Sequence, residues 1–485
     1  MPLKEIYELV PLIREVLIEK RIFIPRVFLT TKSKFQKGKY MSKRNVLILG
    51  AAGRDFHNFN TFYRDNPDYH VVAFTANQIP NIDGRLYPPE LAGKIYPEGI
   101  RIFSEQDLPG LIKKFNIHDC AFSYSDISYA KVMAKSAIVN AAGANFVLLG
   151  PRETMIKSNK PVIAVCAVRT GCGKSQTSRK IIKLLIQKGI KVIAVRHPMP
   201  YGNLVRQKVQ RFSVLNDLKK HHCTIEEMEE YEPHIVRGNV IYSGVDYQAI
   251  LNAAENDEDG CDVIVWDGGN NDFPFFQPDL MVIVTDPHRV GHELSYYPGE
   301  ANLRMADVVI INKMDSAETK AVIELKNNIS QVNSKAVIIE GESPIRVDQP
   351  DLIKGKRVLV VEDGPTLTHG EMKYGAGTVI CRNLHASELV DPRPYLVGDL
   401  KKTFTKYPDI GALLPAMGYG EKQLRDLEET INKTDCDSVV IGTPIDLSRV
   451  INIKKPNTRA YYDLNEISKP DLQDVVEEFL KKHFK

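Results

Sequence analysis

The chain has 485 residues, 43% apolar and 26% charged, with a formal net charge of +3; that length predicts two to four domains, and the composition excludes a fibrous, collagen-like or largely disordered chain. Positive residues are spread through the predicted helices without interleaved aromatics, which does not suggest nucleic-acid binding, and no apolar run reaches the roughly eighteen residues of a spanning helix. The seven cysteines include no C-x-x-C pair, which fits a reducing, cytoplasmic setting without membrane partners.

Residues 1–40 carry an apolar periodicity (Ile6, Leu9, Val10, Ile13, Val16, Leu17) interrupted by Glu5, Glu8, Glu15 and Glu19. An organelle presequence is poor in acids, so the pattern predicts an amphipathic N-terminal extension docking on the body or on a partner. Targeting, or a functionless extension ahead of a true start at Met41, are the alternatives.

From Asn45 onward, short apolar runs alternate with Gly-containing turns and amphipathic segments, the pattern of βα units and a parallel sheet. The expected class is α/β. Residues 41–160 read as a Rossmann-like domain opening with Val46-Leu47-Ile48-Leu49 into Gly50-Ala51-Ala52-Gly53-Arg54-Asp55. That turn lacks the full G-x-G-x-x-G spacing, so it is either a tight βα turn or a small-molecule site.

Residues 161–355 read as a P-loop NTPase domain with a parallel sheet of five buried strands, the first ending at Val165. Val168-Arg169-Thr170-Gly171-Cys172-Gly173-Lys174-Ser175-Gln176 follows it and precedes a helical pattern. A phosphate loop requires that setting: Gly171 and Gly173 let backbone N–H groups turn toward an anion, and the following helix points its positive end there. Lys174 is expected on the β- and γ-phosphates, and Ser175 on Mg²⁺. Thr170, Cys172 and Gln176 complete the nucleotide-binding set. The first Gly of the general motif is replaced by Val168.

Further along, Arg196 and His197 follow the second strand of this block, at the carboxyl edge where open α/β sheets bind ligands. Asp262 to Trp266 is a buried run ending in Asp267-Gly268-Gly269, the place for a Mg²⁺-organising carboxylate, and Asn270-Asn271-Asp272-Phe273 follows as a polar turn able to hold water or an acceptor. His288, Arg289 and His292 follow the fourth strand. Together with Arg196 and His197 they either neutralise a phosphorylated or carboxylated small substrate or simply pair with acids such as Asp286 and Glu293. Asn312-Lys313-Met314-Asp315 matches N-K-x-D, in which the Asp315 carboxylate would accept from guanine N1–H and its exocyclic amine. GTP and ATP both stay open as the nucleotide.

Residues 356–485 read as a smaller C-terminal α/β domain with a Lys-rich terminal helix; Thr368 and His369 in its Gly-rich stretch are candidates to close the site from above.

Arg169 occupies the place of a signature lysine in the dimeric ATPases and GTPases related to nitrogenase iron protein, signal-recognition GTPases and dethiobiotin synthetase. That resemblance implies a charge near the α- and γ-phosphates, acting in trans across a homodimer; a solvent-facing Arg beside the nucleotide is the alternative. Over residues 41–485, Arg196-His197-Pro198-Met199-Pro200-Tyr201-Gly202, Asp286-Pro287-His288-Arg289, Tyr297-Pro298-Gly299-Glu300 and Glu362-Asp363-Gly364-Pro365-Thr366-Leu367-Thr368-His369-Gly370 together resemble the cyclic 2,3-diphosphoglycerate synthetase-like family of predicted P-loop GTPases. The resemblance implies that a nucleoside triphosphate activates one phosphate of 2,3-diphosphoglycerate so that the other closes on it as a cyclic phosphoanhydride; the residues themselves offer Arg169, Lys174, Asp267, His197 and Arg196 as catalytic groups acting on a small phosphorylated acid. A regulatory GTPase that switches its domain arrangement or its partner is the alternative function.

Overall fold

The computed structural model describes residues 43–51, 53–76, 84–197, 202–269, 272–364, 367, 373–416 and 421–484. The amphipathic extension expected at 1–40 lies outside them. No helix of the described residues is long and apolar enough to cross a membrane.

Hydrophobic runs with β-branched residues form the strands and amphipathic stretches the helices, giving a mixed α/β architecture with three large sheets among the described residues. The first sheet has six strands in the order Leu86–Tyr87, Ile100–Ser104, Tyr69–Ala76, Arg44–Leu49, Asp119–Phe122, Asn145–Val147. All its pairings are parallel except that of the short edge strand Leu86–Tyr87.

The central sheet has nine strands, ordered Gln210–Phe212, Val240–Ser243, Val192–Arg196, Val263–Asp267, Val162–Ala167, Leu280–Thr285, Val308–Ile311, Val337–Glu342, Asn465–Glu466. The edge strands Gln210–Phe212 and Asn465–Glu466 are antiparallel and the other pairings parallel. All six residues of Val162–Ala167 are buried, as a strand covered on both faces by helices must be. Register is what builds the site. Asp267 pairs with Arg196 on one side and Val165 on the other, Val284 pairs with Ala167, and Thr285 pairs with Ile311. The loops that leave these strands therefore meet at one carboxyl edge.

The third sheet runs Ile345–Val347, Asn457–Tyr462, Ser438–Gly442, Arg357–Asp363, Glu388–Leu389, with Leu414–Ala416 also paired to Arg357–Asp363. The Lys-rich helix Leu472–His483, expected with this third block, instead sends Leu472, Val476 and Phe479 into the core of the central sheet. The preceding strand Asn465–Glu466 has already crossed to that sheet's edge, so the helix's apolar stripe finds its cover there. A two-stranded ribbon, Ile127–Ser128 against Tyr296–Tyr297, ties the first sheet's region to the central one.

Candidate active site

The turn from Val162–Ala167 to the helix Lys174–Gln187 is the centre of the site. Its left-handed residues are Gly171 (φ 83°) and Gly173 (φ 109°). A Cβ on Gly173 would stand 2.0 Å from Asn312 Nδ2, so only glycine lets the loop and the Asn312 side chain approach this closely. Val168, at the place of the missing first Gly, continues the sheet by donating its N–H to the Val284 carbonyl at 3.1 Å. Its φ is not positive, so its backbone makes no demand for glycine.

Residues of the N-K-x-D tetrad buttress the loop from behind. Asn312 Nδ2 donates to the Cys172 carbonyl at 2.9 Å, and Lys313 Nζ to the Gly171 carbonyl at 2.6 Å. With these carbonyls occupied, the loop's peptide planes are held so that N–H groups remain for an anion. Lys313 also pairs with Asp286 at 2.9 Å, and Arg289 Nη2 reaches both Asp286 (3.2 Å) and Cys172 Sγ (3.3 Å). Burial disfavours charge on Asp286, yet Lys313 and Arg289 hold its carboxyl below the ordinary range. Asp315 is exposed, and one of its oxygens accepts the Ser343 amide at 3.0 Å; the Ser343 hydroxyl donates to Gln176 Oε1 at 3.2 Å. The structure thus gathers Gly171, Cys172, Gly173, Gln176, Asn312, Lys313 and Asp315 around one loop.

Lys174 turns its ammonium to Asp267 Oδ1 at 2.7 Å. The same oxygen takes Arg196 Nη1 at 3.0 Å, and Oδ2 faces His234 Nε2 at 3.2 Å. Asp267 is 0% exposed. Although burial opposes its charge, Lys174 and Arg196 hold its carboxyl well below the usual range. Burial, then the neighbouring Arg196, lower the Lys174 pKa, an ammonium ready to gain from a phosphate. Arg196 also pairs with Glu230 and donates to the carbonyls of Asp267 and Gly268 at 3.2 Å. Ser175, half-buried, is the next residue of the helix.

His197 is buried between glycines: a Cβ on Gly53 would lie 2.2 Å from its ring and one on Gly269 2.5 Å from its Cβ. Its Nε2 is 3.5 Å from Asp272 Oδ2, whose other oxygen takes Arg54 Nε at 3.0 Å. The first sheet's Gly-rich turn thus packs directly on the central site, with Arg54 also donating to the Phe273 carbonyl at 2.6 Å.

Arg169 is 1% exposed and ion-paired within its own chain, Nε to Asp126 Oδ1 at 2.5 Å, with Nη1 donating to His292 Nδ1 at 2.7 Å and its guanidinium 3.7 Å from the Tyr296 ring centre. Neither reach toward a second subunit nor a solvent-facing position describes this side chain. Thr170 joins the same anchor, both its N–H (3.1 Å) and its hydroxyl (2.6 Å) donating to Asp126 Oδ2. Asp126 therefore hooks two successive residues of the phosphate loop from the first sheet's side.

His288 is exposed and bonds the Ser316 hydroxyl at 3.0 Å. The basic set Arg196, His197, Arg289 and His292 faces protein partners: three of its members meet Asp267, Glu230, Asp272 and Asp286, and His292 meets Arg169. Asn270, Asn271, Thr368 and His369 lie outside the described residues. Sequence reasoning passed over Asp126, Glu230 and His234, and took Asp272 only as part of a polar turn. Their contacts span 33 to 218 positions, and none sits in a motif. Among the described residues no three or more His, Cys, Asp or Glu side chains converge as a metal cage.

No family model matches the chain. It is 60% identical over 439 residues to arginine synthetase ArcE of Thermococcus kodakarensis, a match spanning 90% of this chain and 97% of that protein. Among solved structures it is similar to LpxK from Aquifex aeolicus in complex with ATP, at 10% identity and TM-score 0.42, over 76% of this chain and 99% of that one. It is also similar to hydrogenase maturation factor HypB from Archaeoglobus fulgidus, at 16% identity and TM-score 0.25, over 38% of this chain and 81% of that one. At these scores neither structural likeness bears on function.

Proposed function

Because this chain belongs to the family of the Thermococcus kodakarensis arginine synthetase ArcE, we propose that it is a P-loop enzyme driving synthesis of arginine, or a close guanidino relative, with a nucleoside triphosphate. A phosphate loop can do one useful thing for such a synthesis: move the γ-phosphoryl group onto a substrate oxygen and so make it a leaving group. A guanidino group differs from a ureido group by NH₂ in place of oxygen. The steps then balance. The ureido oxygen forms a bond to the γ-phosphorus as the bond to the nucleoside diphosphate breaks; ammonia forms a C–N bond to the ureido carbon; the C–O bond breaks and phosphate leaves.

The observation that carries this reading is the Lys174 ammonium resting on Asp267 Oδ1 beneath a loop whose carbonyls are already occupied. A γ-phosphate would draw Lys174 to itself and leave Asp267 to order a Mg²⁺ shell. The residues present fit Mg²⁺, which keeps most of its waters and takes phosphate oxygens, so Ser175 and Asp267 are enough protein ligands. When bound, the ion neutralises charge on the β- and γ-oxygens. Arg196, held by Glu230, steadies Asp267. Arg169, anchored by Asp126, fixes the loop's shape.

The test is phosphorus NMR with amino-acid analysis on full-length protein given Mg²⁺, ammonium, L-citrulline as ureido compound, and ATP or GTP in parallel. Arginine and inorganic phosphate should appear in equal amounts. Triphosphate cleavage that ignores citrulline, with no arginine, rules the reading out. An arm with 2,3-diphosphoglycerate examines the cyclising reaction suggested by the sequence motifs. The existing pairing of Arg196, His197 and Arg289 with acids weighs against an anionic acceptor there. Asp315→Ala in both nucleotide arms tests guanine reading: an unchanged GTP-to-ATP ratio removes Asp315 from base choice.

A further inference from the structure

A cavity of about 310 Å³ opens on the carboxyl edge of the central sheet, its walls drawn from residues of 202–210 and 220–227. Gln210 marks its level in the fold, pairing with Ser243, the last residue of the strand Val240–Ser243. Glu227 lies in the first turn of the helix Ile225–Ile235. About one turn further on, Glu230 pairs with Arg196, which lies 3.0 Å from Asp267. The polar groups on the cavity wall lack partners of their own. Gln207 is 8% exposed, and its Oε1 is buried without meeting a donor. Gly202 leaves that amide uncovered, for a Cβ there would stand 3.2 Å from Gln207 Cδ and Nε2. Glu227 is 3% exposed; its Oε2 accepts the Thr224 amide at 2.8 Å and hydroxyl at 3.2 Å, and no cation among the described residues pairs with it. Arg206 and Lys220 are exposed and form no ion pair among the described residues. Asp217, which feels the Lys220 charge, is already held by the Ser213 and Val214 amides at 2.9 and 3.0 Å.

We propose that this cavity holds the amino-acid end of the ureido substrate, its α-carboxylate on Arg206 and Lys220 and its α-ammonium on Glu227 and Gln207 Oε1. The inference rests on the reading of the chain as an arginine synthetase for which molecule enters, and on the cavity's own charges for why a zwitterion fits. A guanidinium can grip a carboxylate through two parallel N–H bonds, with the lysine adding a second positive charge. An ammonium carries three donors and no acceptor, so it needs oxygens such as those of Glu227 and Gln207. Leaving a buried amide oxygen without a donor is costly, and the ammonium removes that cost. Burial pushes the Glu227 carboxyl up to about 7, and an arriving ammonium supplies the counter-charge that the chain does not. From this cavity the trimethylene chain of citrulline would carry its ureido group back toward Arg196 and the phosphoryl-transfer centre.

The experiment is calorimetric titration of full-length wild-type protein, Arg206→Met and Glu227→Gln, each loaded with Mg²⁺ and a non-hydrolysable analogue of ATP or GTP. The ligands are L-citrulline, Nα-acetyl-L-citrulline, which lacks the ammonium, L-citrullinamide, which lacks the carboxylate, and inorganic phosphate. Wild type should bind citrulline, with both derivatives at least tenfold weaker. Arg206→Met should lose at least tenfold for citrulline and under twofold for the amide. Glu227→Gln, whose side chain can still accept the Thr224 amide, should lose at least tenfold for citrulline and under twofold for the acetyl derivative. Nucleotide affinity within twofold of wild type shows the fold intact, and Gly202→Ala, which fills the space over Gln207, should weaken citrulline binding independently. Unchanged citrulline affinity in both charge variants overturns the site, as does a wild type that binds no citrulline or binds phosphate alone. Weakened binding with an unchanged KM for citrulline marks a regulatory amino-acid site and overturns the substrate assignment. Either result leaves the synthetase reading standing if wild type forms arginine in the phosphorus assay; no arginine there defeats the parent reading, and the substrate assignment with it.

Discussion

Asp267→Asn probes the central network at its most loaded atom. The substitution keeps the shape of a fully buried side chain and removes the charge that balances Lys174 at 2.7 Å and Arg196 at 3.0 Å. Removing one partner of a buried ion pair costs about 3–5 kcal/mol, because the remaining charge is stranded. Arg196 keeps Glu230, so Lys174 is the group left exposed to the loss, and the lower figure, about 3 kcal/mol, is expected. At roughly 2–4 °C per kcal/mol for a cooperative unit of about 150–250 residues, the melting temperature should fall by about 6–12 °C. Differential scanning calorimetry without nucleotide reads it directly. Adding Lys174→Met to the variant should recover most of the loss, since the stranded ammonium is gone, a coupling a double-mutant cycle isolates. A drop below about 2 °C, or losses that simply add in the double variant, would refute the account of Asp267 as the counter-charge of the phosphate-loop lysine.

Gly173→Ala should abolish nucleotide binding, since the new methyl would meet Asn312 at 2.0 Å in a conformation with φ 109°; equilibrium binding of a fluorescent nucleotide within threefold of wild type contradicts this. Asp126→Asn should loosen the phosphate loop, because Arg169 and Thr170 lose their shared anchor; faster amide hydrogen exchange across residues 168–174 is the expected signature, and an unchanged rate there dismisses the hook. Burial pushes the Glu362 carboxyl up to about 7, so the folded chain keeps a proton that the unfolded chain has released, and stability is lost as pH rises from the ordinary carboxyl range through about 7. Glu362→Gln, which does not titrate, should therefore gain on wild type in melting temperature between pH 5 and pH 8. A gap of the same size at both pH values counts against it.

The central strands were legible because a sheet covered on both faces demands continuous apolar runs, and Val162–Ala167, Val263–Asp267 and Val308–Ile311 are such runs. The phosphate loop was legible for a similar reason, its glycines, Lys174 and Ser175 being neighbours in the chain. What the sequence concealed is the company those residues keep. Arg169 reads as a free charge until Asp126, in the bend between the strands Asp119–Phe122 and Ile127–Ser128, is found 2.5 Å away. The same holds for Arg196 with Glu230 on the helix Ile225–Ile235. Sequence patterns report periodicity within an element, whereas these pairings follow from how elements far apart in the chain meet in the fold. Val240–Ser243 and Val337–Glu342 escaped the sequence reading of five strands: the first is an apolar run of only three residues, and the second has two of its six residues buried and ends in Glu340-Gly341-Glu342.

The return of the helix Leu472–His483 to the central layer bears on the order of assembly during translation. The sheet that holds the phosphate loop has all its parallel strands by Glu342, but Leu472, Val476 and Phe479 emerge from the ribosome more than a hundred residues later. Until then part of its apolar surface stays wet while the third sheet is still being made. A nascent chain stalled in that interval would be the form that chaperones meet, and a nick between the third sheet and this helix would reopen the same surface in the finished molecule.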